Sequence, residues 1–485
     1  MSPILLLALA LAATGAAAAP AAPLQPCRLQ GVEAGALCGQ LQRPLDPARP
    51  DGTQIDLHYA VLPALARNKK PDPVFFFAGG PGQSAIELAG TVSALMTRLS
   101  NRRDVVLVDQ RGTGRSAPLL CDLPAPAAPL RELADPARQL DSLLRCRDRL
   151  TQLPYGDLRQ FTTTIAMADV DAVRQALGAE RINLVGGSYG TRAALEYQRQ
   201  FPQAVRRAVI DGVAPPDMVL PAAISSDAQA AFDALVQACA QAPDCAGRYP
   251  SLDRAWRRVR ATLPREVTVR HPVTGEPERF TLTADMAAGL LRMPLYLPAL
   301  TSALPLAITQ ADEGRFDALV GLASAISGGR RSPTALAEGM HYAVVCAEDG
   351  PRLAQANDAP GPDFGDSFAR QYRLACANWP RGAVPEAFYT VPPAPAATLV
   401  LSGGIDPVTP PRHGERVARA LGPLARHVVV PESGHGVLAL GCMRDVLYRF
   451  IDAESDAQAL QVDAGCVAGV PRPPAFQPVR GGGAP

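Results

Sequence analysis

Residues 181–202, Arg-Ile-Asn-Leu-Val-Gly-Gly-Ser-Tyr-Gly-Thr-Arg-Ala-Ala-Leu-Glu-Tyr-Gln-Arg-Gln-Phe-Pro, constrain the fold more than any other stretch. Residues 182–185 are a short apolar run of buried-strand type. Residues 191–200 read as an amphipathic helix that stops before Pro202. Between them lies Gly186-Gly187-Ser188-Tyr189-Gly190, a Gly-x-Ser-x-Gly pattern in a strand–turn–helix context. So sharp a turn leaves little room for a Cβ two places either side of the serine. Glycine at 186 and 190 meets that need. The turn lifts the serine oxygen above the sheet edge, which makes Ser188 a candidate nucleophile. The plainer alternative is a glycine-rich turn with an incidental serine.

The flanking sequence supplies a scaffold. Strands are expected at 38–41, 55–62, 74–78, 105–108 and 208–210, and helices at 140–150 and 164–177, the second capped by a threonine and ended by Gly178. This alternation is the signature of an α/β fold: a mostly parallel sheet with helices on both faces. Between 214 and 395 helical patterns continue without clear strands, apart from a hairpin at 267–281, and read as an inserted, mainly helical cap. A Pro/Ala-rich linker near 391–397 returns the chain to the sheet, with strands at 398–401 and 427–430 and a last helix at 443–452. The expected division is a signal peptide at 1–22, a first core part at 23–213, the cap at 214–395, a second core part at 396–470 and a flexible Pro/Gly-rich tail at 471–485.

Composition narrows the setting. Of 485 residues 47% are hydrophobic, enough for a large core, and 47 basic against 46 acidic residues leave a net charge of +1. That balance gives no basic field for nucleic acid or anionic membranes. Residues 4–13 are apolar and lead into a small-residue stretch with an Ala-x-Ala site near Ala18, a signal-peptide pattern although it lacks a basic start. The run is too short to span a bilayer, which takes about 20 residues. Ten cysteines fall into close neighbours, Cys27/Cys38, Cys121/Cys146, Cys239/Cys245, Cys346/Cys376 and Cys442/Cys466. Five disulfides in that pairing fit an exported bacterial protein, periplasmic or extracellular. With no CxxC and six scattered histidines, no metal or other cofactor is expected.

Further motifs lie just past strand ends. Gly79-Gly80-Pro81-Gly82 is no phosphate cradle, since no Gly-Lys-Ser/Thr follows and Pro81 removes a donor. It fits an oxyanion loop with Gly80 as donor, joined by the N–H of Tyr189. Asp109-Gln110-Arg111-Gly112-Thr113-Gly114 reads as a bracing loop built on an Asp–Arg pair. Asp406 and His435 follow Ser188 in the order Ser…Asp…His, the order of the α/β-hydrolase arrangement. In those roles His435 takes the serine proton and Asp406 holds the imidazole tautomer and steadies its cation.

These motifs, together with Gly403-Gly404-Ile405-Asp406-Pro407-Val408-Thr409-Pro410 and Ser433-Gly434-His435-Gly436, resemble the prolyl aminopeptidase and tripeptidyl aminopeptidase family, serine exopeptidases of the α/β-hydrolase fold. The resemblance spans about 38–450, and the exported, cysteine-containing variety with a tripeptidyl aminopeptidase-like C-terminal segment is the nearer match. Ala78 departs from it: many prolyl aminopeptidases have histidine there. The family implies a cap that binds a peptide's free amino terminus, commonly through acidic side chains, because a carboxylate offsets the cost of desolvating an ammonium. Glu348 in Cys346-Ala347-Glu348-Asp349-Gly350 is the first candidate and Glu338 the second. The resulting expectation is hydrolysis of peptide substrates near their N-termini through an acyl-enzyme. An exported carboxylesterase or lipase-like enzyme on the same fold is the alternative. A non-catalytic binding protein is a third reading, against which the complete Ser/Asp/His set speaks.

Overall fold

The computed structural model describes residues 23–478 except 123, 134 and 328–335. The expected signal peptide, 1–22, and the end of the expected tail, 479–485, lie outside the described residues. The strands are β1 (Gln25–Cys27), β2 (Ala36–Pro44), β3 (Gln54–Leu62), β4 (Val74–Phe77), β5 (Val105–Val108), β6 (Ile182–Gly187), β7 (Val205–Asp211), β8 (Arg265–Arg270), β9 (Pro277–Leu282), β10 (Thr398–Gly403) and β11 (Ala425–Val430). All but β8 and β9 join one sheet in the order β1-β2-β3-β5-β4-β6-β7-β10-β11. The pairs β1·β2, β2·β3 and β3·β5 are antiparallel. From β5 through β4, β6, β7 and β10 to β11 every pair is parallel. The hairpin expected at 267–281 is the separate antiparallel pair β8·β9.

Burial explains the strand sequences. A parallel strand covered on both faces must be apolar throughout, as Val-Val-Leu-Val in β5 is. Successive residues serve opposite faces. Val105, Leu107, Val209, Leu399 and Leu401 pack with Ala89, Val92, Met443, Val446 and Phe450, on the helices Ala89–Leu95 and Met443–Asp452. Val106, Val108, Ala208, Ile210 and Val400 pack with the helices Thr163–Ala176, Tyr189–Gln200 and Pro411–Leu421. The helix Thr163–Ala176 begins at Thr162, whose side chain accepts the N–H of Ile165.

Strand order reverses at β4. From β4 the chain steps to β5 on one side, then to β6 on the other. The carboxyl ends at such a switch point leave a crevice where ligands bind in open α/β sheets.

The helices between β7 and β10 carry a second apolar core around Phe232, Trp256, Leu291 and Leu304. Part of the first half joins them: Leu119, Leu143 and Leu150 pack with Met340, Val344 and Trp379. Buried ions tie these helices to the sheet domain. Arg192 pairs with Asp349 at 3.1 Å and Glu348 at 3.3 Å. Asp227 accepts from Arg412 at 2.7 Å and lies 2.9 Å from the ring of His413. Residues 471–478, the described part of the expected flexible tail, make contacts: Arg472 pairs with Glu432, and the N–H of Phe476 donates to the Ser302 carbonyl at 2.8 Å. Among the described residues no helix is long and apolar enough to cross a membrane.

All five neighbouring cysteine pairs are bonded. Cys346–Cys376 links the helices Glu338–Glu348 and Ser367–Cys376 across a separation of 30 residues. Replacing both cysteines by alanine releases that loop in the unfolded chain and is expected to cost about 3.5 kcal/mol of stability, seen as a lower midpoint in urea unfolding.

Candidate active site

Ser188 follows β6 and precedes the helix Tyr189–Gln200, with φ 54° and ψ −124°, a left-handed backbone for a residue that has a Cβ. A Cβ at Gly190 would lie 2.1 Å from the carbonyl oxygen of Phe77, and one at Gly186 would lie 2.3 Å from that of Gly190. Neither approach tolerates a side chain, so the elbow closes only with glycine there. The N–H of Ser188 donates to the carbonyl of Asp211 at 2.9 Å, and its own carbonyl accepts the Thr191 hydroxyl at 2.6 Å.

The Gly79–Gly82 loop after β4 lies alongside. A Cβ built on Gly79 would come within 3.2 Å of the Ser188 Cβ, so the backbone at Gly79, which leads into Gly80, borders the serine. Tyr189 opens its helix, so its N–H has no acceptor one turn earlier. Its phenol is buried 2.7 Å from the Thr163 hydroxyl, which leaves the main chain as the part of Tyr189 that can serve the serine. Two side chains brace the loop. Asp109 accepts Ser84 Oγ at 2.6 Å and the N–H of Ile86 at 3.1 Å. His341 Nδ1 meets the carbonyl of Pro81 at 3.0 Å. The expected Asp–Arg pairing within the 109–114 loop takes another form: Arg111 turns away to Asp169 at 2.7 Å.

His435 and Asp406 come together from the loops after β11 and β10. Asp406 Oδ2 is 2.8 Å from His435 Nδ1. The other oxygen accepts the N–H groups of Val408 and Thr409 at 2.8 and 2.9 Å. The Thr409 hydroxyl donates to Asp406 Oδ2 at 2.8 Å and stands 3.1 Å from His435 Nδ1. Burial opposes ionisation of Asp406, but His435 and these donors outweigh it and hold the carboxyl below its ordinary 3.8. Burial likewise opposes the imidazolium of His435, and the Asp406 charge and hydrogen bond outweigh it and raise the ring above its ordinary 6.5. The ring packs beside Gly212, where a Cβ would be 3.2 Å from Cε1, one residue past the carbonyl that holds the Ser188 N–H.

Three further residues escaped the sequence reading. Asp211, at the end of β7, accepts the N–H groups of Val437 and Leu438 at 2.8 and 2.9 Å and so fixes the His435 loop. Burial pushes its carboxyl up to about 6 against those donors. Tyr296 packs edge-on to His435 with centroids 5.4 Å apart, and its carbonyl accepts the His435 N–H at 2.9 Å. Thr409 had a sequence signal in its place three residues after Asp406. Arg292 had none.

Glu348 differs from its expected role. It is 1% exposed, and its oxygens are held by the Thr163 N–H at 2.8 Å and by Arg192 at 3.3 Å. Burial raises its carboxyl to about 7, with Arg192 pulling the other way. The group serves the buried anchor between cap and core and presents no surface to a substrate amine. Glu338 is half-buried at the start of its helix, directly after Ala337, whose N–H donates to the Gly82 carbonyl of the donor loop at 2.9 Å. Glu338 Oε2 accepts the Cys121 N–H at 3.3 Å, and the side chain is engaged in other interactions as well. Among the described residues no group of three or more His, Cys, Asp or Glu could hold a metal ion.

A mostly parallel sheet with helices on both faces, a serine on a strained elbow at its switch point, and an imidazole held by a carboxylate on neighbouring strand ends are the arrangement of the α/β-hydrolase fold. Sequence comparison agrees: the alpha/beta hydrolase fold family matches residues 72–292 and the TAP-like protein family residues 361–458. Serine protease Hip1 of Mycobacterium tuberculosis is 28% identical over 437 residues, covering 82% of each chain. Tripeptidyl aminopeptidase of Streptomyces lividans is 32% identical over 192 residues, 37% of this chain and 35% of that one. Carboxylesterase B of M. tuberculosis is 29% identical over 416 residues, 80% of this chain and 78% of that one.

The raised pKa of His435 gives a pH signature. The ring must be neutral to accept a proton, so kcat/KM should climb with pH through an ionisation above 6.5 and fall away below it. Asp406→Asn removes the charge that raises this pKa. The midpoint should then drop, and kcat should fall about 10⁴-fold. A pH–rate profile of both proteins measures the two effects together.

Proposed function

We propose that this chain is an exported serine exopeptidase that cleaves peptides near their free N-termini. The observation that carries the reading is the hydrogen-bonded set Asp406–Thr409–His435 beside the strand end that holds Ser188. The peptidase relatives supply the substrate class, and the five disulfides support export, since such bonds persist in oxidising compartments.

In the proposed mechanism Ser188 Oγ attacks the scissile carbonyl carbon while its proton passes to His435 Nε2. The carbonyl π-electrons move onto oxygen, where the N–H groups of Gly80 and Tyr189 stabilise the oxyanion, a contribution of about 3 kcal/mol per donor. The tetrahedral species collapses, the C–N bond breaks, and His435 returns the proton to the leaving amine. Water then repeats the sequence on the acyl-enzyme, releasing the N-terminal fragment and free Ser188. Asp406 stays ionised throughout, as its lowered pKa requires. With Glu348 sealed, Glu338 is the acid we assign to the substrate ammonium.

The carboxylesterase relative keeps an esterase reading in view. Mass spectrometry of products from a mixed peptide pool, with and without N-terminal acetylation, separates the two. The proposal expects short N-terminal fragments from free peptides and strong suppression by acetylation. Equal cleavage of both pools would remove amine recognition. Turnover of short acyl esters with every peptide left intact would favour the esterase.

A further inference from the structure

Arg292 ends the helix Ala284–Arg292 and is half-buried in the cap. Its Nη1 donates to the Tyr296 hydroxyl at 3.0 Å, and Nη2 faces the Met293 sulfur at 3.5 Å, a weak acceptor. The guanidinium carbon lies 5.0 Å from the centroid of Phe368 and 5.6 Å from that of Tyr296. Among the described residues no carboxylate is within ion-pair distance of it. Arg370 and Arg373, on the helix that carries Phe368, are both paired with acids. A half-buried cation flanked by two rings and matched mainly to one neutral oxygen is poorly compensated. A guanidinium carries five N–H donors, so the contacts of Nη1 and Nη2 leave others available, and their planar fork fits a carboxylate.

Position gives this cation its meaning. The Tyr296 ring that it contacts is the one packed against His435. Tyr296 and Phe368 also pack on the small cluster containing Val408, in the loop of Asp406. We propose that Arg292 binds a carboxylate of the substrate next to the His435 side of the site. It would thereby make the enzyme prefer acidic substrates. Two sources share that chemistry: the C-terminal carboxylate of a short peptide and an acidic side chain. The proposal rests on the peptidase reading for its natural substrate, and the test separates the two claims.

Three substrate pairs are compared in the wild type, Arg292→Lys and Arg292→Met, each checked for folding by labelling of Ser188 with a fluorophosphonate. The first pair is tetra-alanine as free acid and as C-terminal amide. The second is a tetrapeptide amide ending in Glu or Gln. The third is 4-nitrophenyl glutarate and 4-nitrophenyl valerate, which needs no peptide cleavage. The readout is the ratio of kcat/KM within each pair. In the wild type at least one pair should favour the carboxylate about tenfold, mainly through KM, with the ratio shrinking as salt rises. Arg292→Met should bring that ratio to about one, and Arg292→Lys should retain part of it. The responding peptide pair identifies the source. Equal ratios in the wild type on all pairs, or a preference that survives Arg292→Met, overturn the role of Arg292. A preference confined to the ester pair, with no peptide cleaved, overturns the peptidase reading and leaves Arg292 standing.

Discussion

The site depends on a steric constraint at the elbow. Ser188 adopts φ 54°, which costs a residue with a Cβ about 1–3 kcal/mol, and the surrounding packing must hold it there. The helix Tyr189–Gln200 folds back so closely that Gly190 lies against the backbone of Phe77 at the end of β4. That contact brings the β4 loop beside the serine. The Ser188 N–H is bonded to Asp211 on β7, and Asp211 in turn grips Val437 and Leu438 just past His435. Three neighbouring strand ends thus fix nucleophile, donor loop and imidazole relative to one another.

Two buried carboxylates near His435 are treated differently by their surroundings. Asp406 accepts from the ring, two backbone N–H groups and a threonine hydroxyl, and is held ionised. Asp211 accepts from backbone donors alone and is pushed up to about 6 by burial. One carboxylate orients the imidazole and favours its cation. The other holds the loop on which the imidazole sits. Replacing Asp406 removes the ring's hydrogen-bond partner and the larger of two charges that favour its cation, while replacing Asp211 frees the loop and removes the smaller one.

Much of this was legible in the sequence because it is local. An apolar run, a glycine-flanked serine and an amphipathic helix specify the elbow. Strand–helix alternation specifies the sheet, and close cysteine spacing anticipated the five bonded pairs. What escaped depends on distant packing. Glu348 looks like a surface acid in a Cys-x-Glu-Asp-Gly string, yet it folds onto Arg192, which lies 156 residues earlier. Arg292 and Tyr296 occupy a featureless helical stretch whose importance comes from where the cap rests on the His435 loop. Residues 471–478 have a mobile composition but are held by Glu432 and Ser302. Composition reports what a segment could do alone, and these partners were not visible from it.

In the proposed catalysis Ser188 carries a peptide acyl group as a covalent ester. Acid quenching during turnover of a tripeptide 4-nitrophenyl ester, followed by intact-mass measurement and peptide mapping, tests it directly. One tripeptidyl adduct per chain, confined to the peptide containing Ser188, is the expected result. Turnover with no adduct when deacylation limits the rate, or an adduct on another residue, would contradict it.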